Sequence, residues 1–291
     1  MPTESQLRAD IVEVGRRLYD RRYTAANDGN ISVRLGTDRL LMTPKGVCKG
    51  FMSPDMMCVT NLDGRKLEGD RDPSSEMLMH LEVYRQRPDV QAVVHAHPPT
   101  ATGFAVAGIP LDRAVLAEVL TTLGSIPIAA YATPSTQELP DAVRKYIRAH
   151  DGMLLANHGA LTVGSDLYSA YYKMETIEHF ATISLVARVL GRENLLAREE
   201  VLRLQELRGT YGIKAPAPIC ADPAEGGGGD EGADPATCQV VQAPPGGGLR
   251  LVPDSPGSSR ARSERDGEDA EIRLTYRELS ALIEDAVRSL K

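Results

Sequence analysis

Apolar and polar positions alternate along this chain in two distinct rhythms. Leu7, Ile11, Val14 and Leu18 recur at helical spacing behind Thr3-Glu4-Ser5-Gln6, a capping-box pattern, and predict a first helix ending near Arg22. Asn27-Asp28-Gly29-Asn30 is a cluster of turn formers leading into an alternating strand, Ile31-Ser32-Val33-Arg34. Two further short strands are expected at Leu40-Leu41-Met42 and near Met57-Cys58-Val59, the second running into a hairpin turn at Asn61-Leu62-Asp63-Gly64. Ser74 or Ser75 then caps a helix with Leu78, Leu81 and Tyr84 on one side, which stops before Pro88.

The run Ala92-Val93-Val94-His95-Ala96-His97 follows, small and β-branched, and reads as a buried strand. A mixed helical stretch spans residues 100–123, interrupted at Gly108-Ile109-Pro110. Ile126 to Tyr131 predicts a strand, and Glu138 to Ala149 a helix. Met153-Leu154-Leu155-Ala156 and Ala160-Leu161-Thr162-Val163 are two strands joined at Asn157-His158-Gly159. A long helical region runs from Leu167 to about Leu207 with a break near Gly191. Strands and helices are interspersed, with several hairpin-like turns, so the expected architecture is α/β, a layered α/β/α domain around a mixed sheet.

Beyond residue 213 the pattern dissolves. Eight of the nineteen prolines fall between Pro216 and Pro256, with glycine runs at Gly226–Gly229 and Gly246–Gly248, which predicts a flexible linker over residues 214–270. Order is expected again at residues 271–291. There Thr275-Tyr276-Arg277-Glu278 is a second capping box, and Leu279, Leu282, Ile283, Ala286, Val287 and Leu290 form one apolar stripe. The division is therefore a domain over 1–213, a linker over 214–270 and an amphipathic helix over 271–291.

A net charge of −7 argues against nucleic acid or an anionic membrane as the main partner, while leaving small anions open. No apolar run reaches the ~18 residues of a membrane span, and the first residues lack a secretion signal, so a cytoplasmic protein is expected. Cys48, Cys58, Cys220 and Cys238 include no C-x-x-C pair and are expected to be unpaired thiols.

Side chains two apart on a strand share a face, so His95 and His97 point the same way. Two adjacent imidazoles are either hydrogen-bonded structural histidines or metal ligands. His158, on a turn before Gly159, supplies a third, and three protein ligands with an open position describe a catalytic zinc site. Glu76, at the start of its helix, suits a general acid–base. His80, one turn later, reads as a hydrogen-bonded supporting residue. Ser74 and Ser75 at a helix start, Gly29-Asn30, and Lys45-Gly46 form three loops suited to a phosphate.

Gly29-Asn30-Ile31-Ser32-Val33-Arg34, Thr43-Pro44-Lys45-Gly46, Ser74-Ser75-Glu76, the run from Arg87 to His97, and Asn157-His158-Gly159 together resemble the class II aldolase/adducin family. The resemblance covers residues 1 to about 213, and within the family it is nearest the aldolases of 6-deoxyketose 1-phosphates. It implies a three-layer fold with a largely antiparallel sheet, Zn(2+) on His95, His97 and His158, and Glu76 as acid–base. It further implies phosphate binding by Gly29, Asn30, Lys45, Gly46, Ser74 and Ser75, and a homotetramer with sites between subunits. The expected reaction is cleavage of a phosphorylated ketose to dihydroxyacetone phosphate and lactaldehyde. Lys45 stands where those aldolases have a small hydroxyl residue. The tyrosine that donates a proton in them has no counterpart between residues 101 and 130, leaving Tyr131 and Tyr211 as candidates. Relatives with the same ligands include a pentulose-phosphate 4-epimerase, a dehydratase and decarboxylases, and the adducin branch is a scaffold without catalysis. The helix at 271–291 resembles an encapsulation peptide, which implies a shell protein of a bacterial microcompartment as partner.

Overall fold

A computed structural model describes residues 2–210 together with Ile213, Ile219 and Cys238. These residues belong to one compact unit, Met1–Gln242. Tyr211 and the predicted helix at 271–291 lie outside the described residues, as does the predicted linker apart from Ile219 and Cys238.

The first helix, α1 (Glu4–Asp20), begins where the capping pattern places it, with the Thr3 hydroxyl accepting from the N–H of Gln6. Strands β1 (Asn30–Arg34), β2 (Leu40–Met42), β3 (Cys58–Thr60) and β4 (Lys66–Glu68) form an antiparallel meander. Helix α2 (Met77–Gln86) leads to β5 (Ala92–Ala96), and α3 (Pro99–Ala107) and α4 (Ala117–Thr122) follow. Next come β6 (Ile128–Ala129), α5 (Glu138–Ile147), β7 (Gly152–Leu155) and β8 (Gly159–Gly164). Helices α6 (Leu167–Val189) and α7 (Arg198–Thr210) close the described chain, separated at Gly191, whose φ is +107°.

The eight strands lie in the order β4-β3-β2-β1-β5-β8-β7-β6. Every pairing is antiparallel except β6 with β7. The expected strand over 126–131 shrinks to two residues, because Ile126 instead bridges back to Leu111.

Period-2 alternation divides the interior into two layers. Ile31 and Val33 of β1, with Ala92, Val94 and Ala96 of β5, face a core built with Ile11, Val14 and Leu18 of α1 and with Met174 and Phe180 of α6. Val93 faces the opposite core, with Met79, Leu81 and Tyr84 of α2 and Leu139, Val143 and Ile147 of α5. The sheet is thus covered by helices on both faces. The same alternation sends Asn30 and Ser32 of β1 and His95 of β5 toward the α2 side.

β5 sits between β1 and β8. Asn30 pairs with His95 on one edge and Leu161 pairs with His95 on the other. The turn between β7 and β8 holds Asn157 at φ +56°, a left-handed conformation that asparagine tolerates. Glu178 of α6 accepts hydrogen bonds from the N–H groups of Thr100 and Ala101 at 3.0 and 2.8 Å, anchoring the start of α3 directly after the histidine pair.

Within the predicted linker, Ile219 is buried beside Ala114, Leu120 and Val201. Cys238 is buried and disulfide-bonded, where an unpaired thiol was expected, whereas Cys48 and Cys58 are free. Cysteine spacing reports nothing about spatial proximity, which is what a disulfide requires. Among the described residues no helix is long and apolar enough to cross a membrane.

Two glycines test the packing in opposite directions. A Cβ on Gly159 would lie 2.6 Å from the carbonyl oxygen of Ala96 and 2.5 Å from the His97 ring, so Gly159→Ala should destabilise by about 1–3 kcal/mol. Gly103, exposed in α3, has nothing within 4 Å of such an atom, so Gly103→Ala should stabilise by about 0.5–1 kcal/mol. Urea denaturation of both variants checks the pair, and equal midpoints would contradict it.

Candidate metal centre and anion pocket

His95 is completely buried, and its Nδ1 lies 2.9 Å from the carbonyl oxygen of Ala160. A carbonyl only accepts, so Nδ1 carries the proton and Nε2 turns its lone pair inward. His97 follows the last residue of β5 rather than lying within the strand, where its N–H donates to Tyr23 O. Its Nε2 nonetheless lies 3.1 Å from that of His95. His158 enters from the β7–β8 turn. The three ring centroids stand 4.8 to 5.0 Å apart, and one nitrogen of each ring lies within 4.8 Å of the others.

Glu76 faces this cluster, with Oε2 3.3 Å from His95 Nε2 and Oε1 3.1 Å from His158 Nε2. It is the residue that caps α2, where the sequence predicted Ser74 or Ser75 in that place. Its side chain makes no capping bond because the imidazoles and Asn30 hold it; Asn30 Nδ2 donates to Oε2 at 2.8 Å. Ser74 supports the turn instead, its hydroxyl accepting from the N–H of Glu76.

The electrostatics follow from this crowding. Burial opposes ionisation of Glu76, but His95 and His158 outweigh it and hold the carboxyl far below the usual range. Burial likewise opposes a charge on His95, and Glu76 overcomes it, so His95 is shifted upward. His97 is driven down to about 3 by burial, then by His95 and His158.

The donor set suits a divalent cation. Two Nε2 atoms 3.1 Å apart beside a carboxylate repel one another unless something positive lies between them. Imidazoles around zinc at about 2.1 Å would set their nitrogens about 3.4 Å apart, close to the spacing seen. Oε1 of Glu76 is buried with only the His158 ring nitrogen beside it. These residues therefore fit a bound metal.

Beside the cluster lies a cavity of about 220 Å³. Glu76 and His97 line one side of it. Gly29, Asn30, Lys45, Gly46, Ser74 and Ser75, predicted from three separate loops, all line the rest. Gly29 has φ +71°, and a Cβ there would meet the carbonyl oxygen of His95 at 2.8 Å. The N–H of Lys45 is engaged by Asp72 O and that of Ser74 by Thr43 O, so what these two residues offer an anion is the Ser74 hydroxyl hydrogen and the exposed Lys45 ammonium. Asn30 lines the cavity, but both ends of its side-chain amide are engaged, one by Glu76 and the other by His80.

Sequence reasoning missed Lys49. It is only 2% exposed, lines the same cavity, and donates to Asn27 O at 3.1 Å and Val47 O at 2.7 Å, tying two of the loops together. Burial pulls it down to about 8, against the pull of Cys48, Asp28 and Glu76. A lysine in a glycine-rich loop looks solvated in sequence, and only the packing of that loop on α1 reveals otherwise. Tyr131 is 62% exposed and is not among the residues lining this cavity.

Comparison with known proteins agrees with this geometry. Residues 9–185 match the family described as Class II Aldolase and Adducin N-terminal domain. The chain is 32% identical over 177 residues to an L-fuculose phosphate aldolase of Methanococcus maripaludis, spanning 61% of this chain and 95% of the relative. It is 30% identical over 190 residues to a 3-oxo-tetronate 4-phosphate decarboxylase of Pectobacterium atrosepticum, covering 64% and 87% respectively. A solved L-fuculose 1-phosphate aldolase superposes with a TM-score of 0.66 at 31% identity, over 71% of this chain and 97% of its own. With the matched segment spanning both cores, the three histidines and Glu76, this chain belongs to the class II aldolase and adducin family and has its fold.

Proposed function

We propose that this protein is a zinc-dependent aldolase that cleaves a 6-deoxyketose 1-phosphate, L-fuculose 1-phosphate or a close analogue, to dihydroxyacetone phosphate and lactaldehyde. The observation that carries this reading is the convergence of three imidazoles and an ionised carboxylate at the edge of a cavity lined by hydroxyl and ammonium donors. Similarity to the fuculose-phosphate aldolases supports the substrate class.

His95, His97 and His158 would hold the zinc, which when bound supplies a Lewis acid toward the oxygens of a ketone and its neighbouring hydroxyl. Lys45, Lys49 and the hydroxyls of Ser74 and Ser75 anchor the phosphate remotely, which orients the bond to be broken. Glu76 takes the hydroxyl proton as the carbon–carbon bond breaks and the aldehyde leaves. The electron pair passes to the ketone fragment, and Glu76 returns a proton to its carbon. Because burial and hydrogen bonding fix Glu76 beside the cavity, no reorganisation precedes this transfer.

One observation favours a second reading. Two lysines reach the cavity, so a phosphorylated 3-oxo acid, with an anion at each end, also suits it, as the decarboxylase relative suggests. The substrate panel described below, read for released carbon dioxide as well as dihydroxyacetone phosphate, separates the two.

Oligomerisation fits the exposed apolar residues Leu185, Val186 and Val189 of α6 and Leu190 just after it, and a homotetramer is our reading. For residues 271–291, where the sequence predicts an amphipathic helix, we propose docking to a microcompartment shell protein. Its test is co-sedimentation of full-length and truncated protein with shell protein.

A panel of phosphorylated ketoses assayed with and without chelator should show cleavage that falls at least a hundredfold on chelation and returns with zinc. Cleavage that persists in chelator would refute the metal assignment. Glu76→Gln should lower kcat by about 10²–10⁴ with zinc content unchanged. Burial pulls Lys49 down to about 8, so its charge fades as the pH rises through that value and KM should rise several-fold between pH 7 and 9. Lys49→Met should flatten that rise, as initial rates across the range will show.

A further inference from the structure

Behind Glu76 a line of side chains runs into the core between β1 and α2. Tyr84 OH lies 2.9 Å from Ser32 Oγ, and Ser32 Oγ lies 2.6 Å from His80 Nδ1. His80 Nε2 bonds Asn30 Oδ1, and Asn30 Nδ2 bonds Glu76 Oε2 at 2.8 Å. Tyr84, Ser32, His80 and Asn30 are all buried. β1 supplies Ser32 and Asn30 from one face, and α2 supplies Tyr84, His80 and Glu76 one turn apart.

Donor and acceptor chemistry gives every one of these bonds a direction. A carboxylate oxygen accepts, so Asn30 turns its NH₂ toward Glu76 and its Oδ1 toward His80. Oδ1 only accepts, so His80 carries its proton on Nε2. His80 has no exposed surface and no carboxylate touching it, and burial, with His95 beyond, keeps it neutral, down at about 3. Its Nδ1 therefore accepts from the Ser32 hydroxyl, which leaves Ser32 to accept from Tyr84. Four donors in series point one way and end on one oxygen of the carboxylate.

We infer that His80 is a positioning residue, and that the oriented chain Tyr84–Ser32–His80–Asn30 grips Glu76 by Oε2 so that Oε1 alone is presented to His158 and the cavity. A rotation of the carboxylate that freed Oε2 would leave the buried Asn30 NH₂ without its acceptor, and the rest of the chain holds that NH₂ in place, so the chain selects one orientation. This inference rests on Glu76 as the proton-transfer group of the proposed reaction. It goes beyond that reading in assigning a role to Tyr84, Ser32 and His80, which do not line the cavity, and to Asn30, which lines it but whose amide is engaged at both ends.

Zinc-loaded full-length wild type is compared with His80→Leu and His80→Gln, the second keeping an N–H donor where Nε2 stands. His80→Leu should lose 10- to 100-fold in kcat with KM and zinc content within about twofold of wild type, and His80→Gln should recover to within about threefold. Equal loss in both variants, an unchanged kcat in His80→Leu, or a loss expressed in KM would overturn the inference. Should His80→Leu fail to fold, Tyr84→Phe takes its place, with an expected two- to fivefold fall in kcat at constant KM; no fall counts against the chain. ¹⁵N-histidine NMR of wild type should show His80 neutral, protonated at Nε2 and not titrating between pH 6 and 9. The opposite tautomer, or titration in that range, rejects the chain whatever the activity. The spectrum needs no turnover, so an enzyme that cleaves no ketose phosphate defeats the proposed reaction while the chain is judged separately.

Discussion

A strand hydrogen-bonded on both edges cannot slide by one residue without breaking two ladders and turning every side chain to the opposite face. β5 is such a strand, paired with β1 through Asn30 and His95 and with β8 through His95 and Leu161. That register brings the β7–β8 turn, with His158, to the end of β5 and sets Asn30 directly beside His95. It also decides that Ser32, two residues along β1, shares the face on which α2 packs. The imidazole cluster and the hydrogen-bond chain behind Glu76 are two consequences of the same pairing.

Glu76 is where these consequences meet. A buried carboxylate costs several kcal/mol unless its charge is matched and its oxygens are bonded. Here imidazoles match the charge from one side and Asn30 bonds Oε2 from the other. The orientation of the carboxylate is therefore fixed before any ligand arrives, which is the condition for transferring a proton without first rearranging the site. Glu178 performs a comparable service nearby, holding the start of α3 so that the chain leaving His97 has one path.

The protein is acidic overall, yet its cavity brings two lysines, Lys45 and Lys49, together with the carboxylates of Asp28 and Glu76. Net charge constrains long-range partners, whereas a small anion responds to the few charges within a Debye length of it. Lys49 also joins the Asn27 and Val47 loops, so the cation that would attract the anion shapes the cavity that receives it.

Much of this protein is legible in its residue pattern. Periodicity located nearly every helix and strand within the described residues, and residue chemistry singled out the histidines, Glu76 and the three loops that line one cavity. These are local properties, set by side-chain period and by what an imidazole or a carboxylate can do. What the pattern did not contain is long-range: Glu76 instead of a serine at the head of α2, the disulfide at Cys238, the burial of Lys49, and the direction of the chain from Tyr84 to Glu76. Each depends on which apolar faces bury together and in which register, and thus on contacts between residues tens of positions apart. The sequence by itself determined which groups were present and which face of each element they occupied. Only the tertiary structure decided which of them meet, because burial couples all the faces at once and no local window sees more than its own.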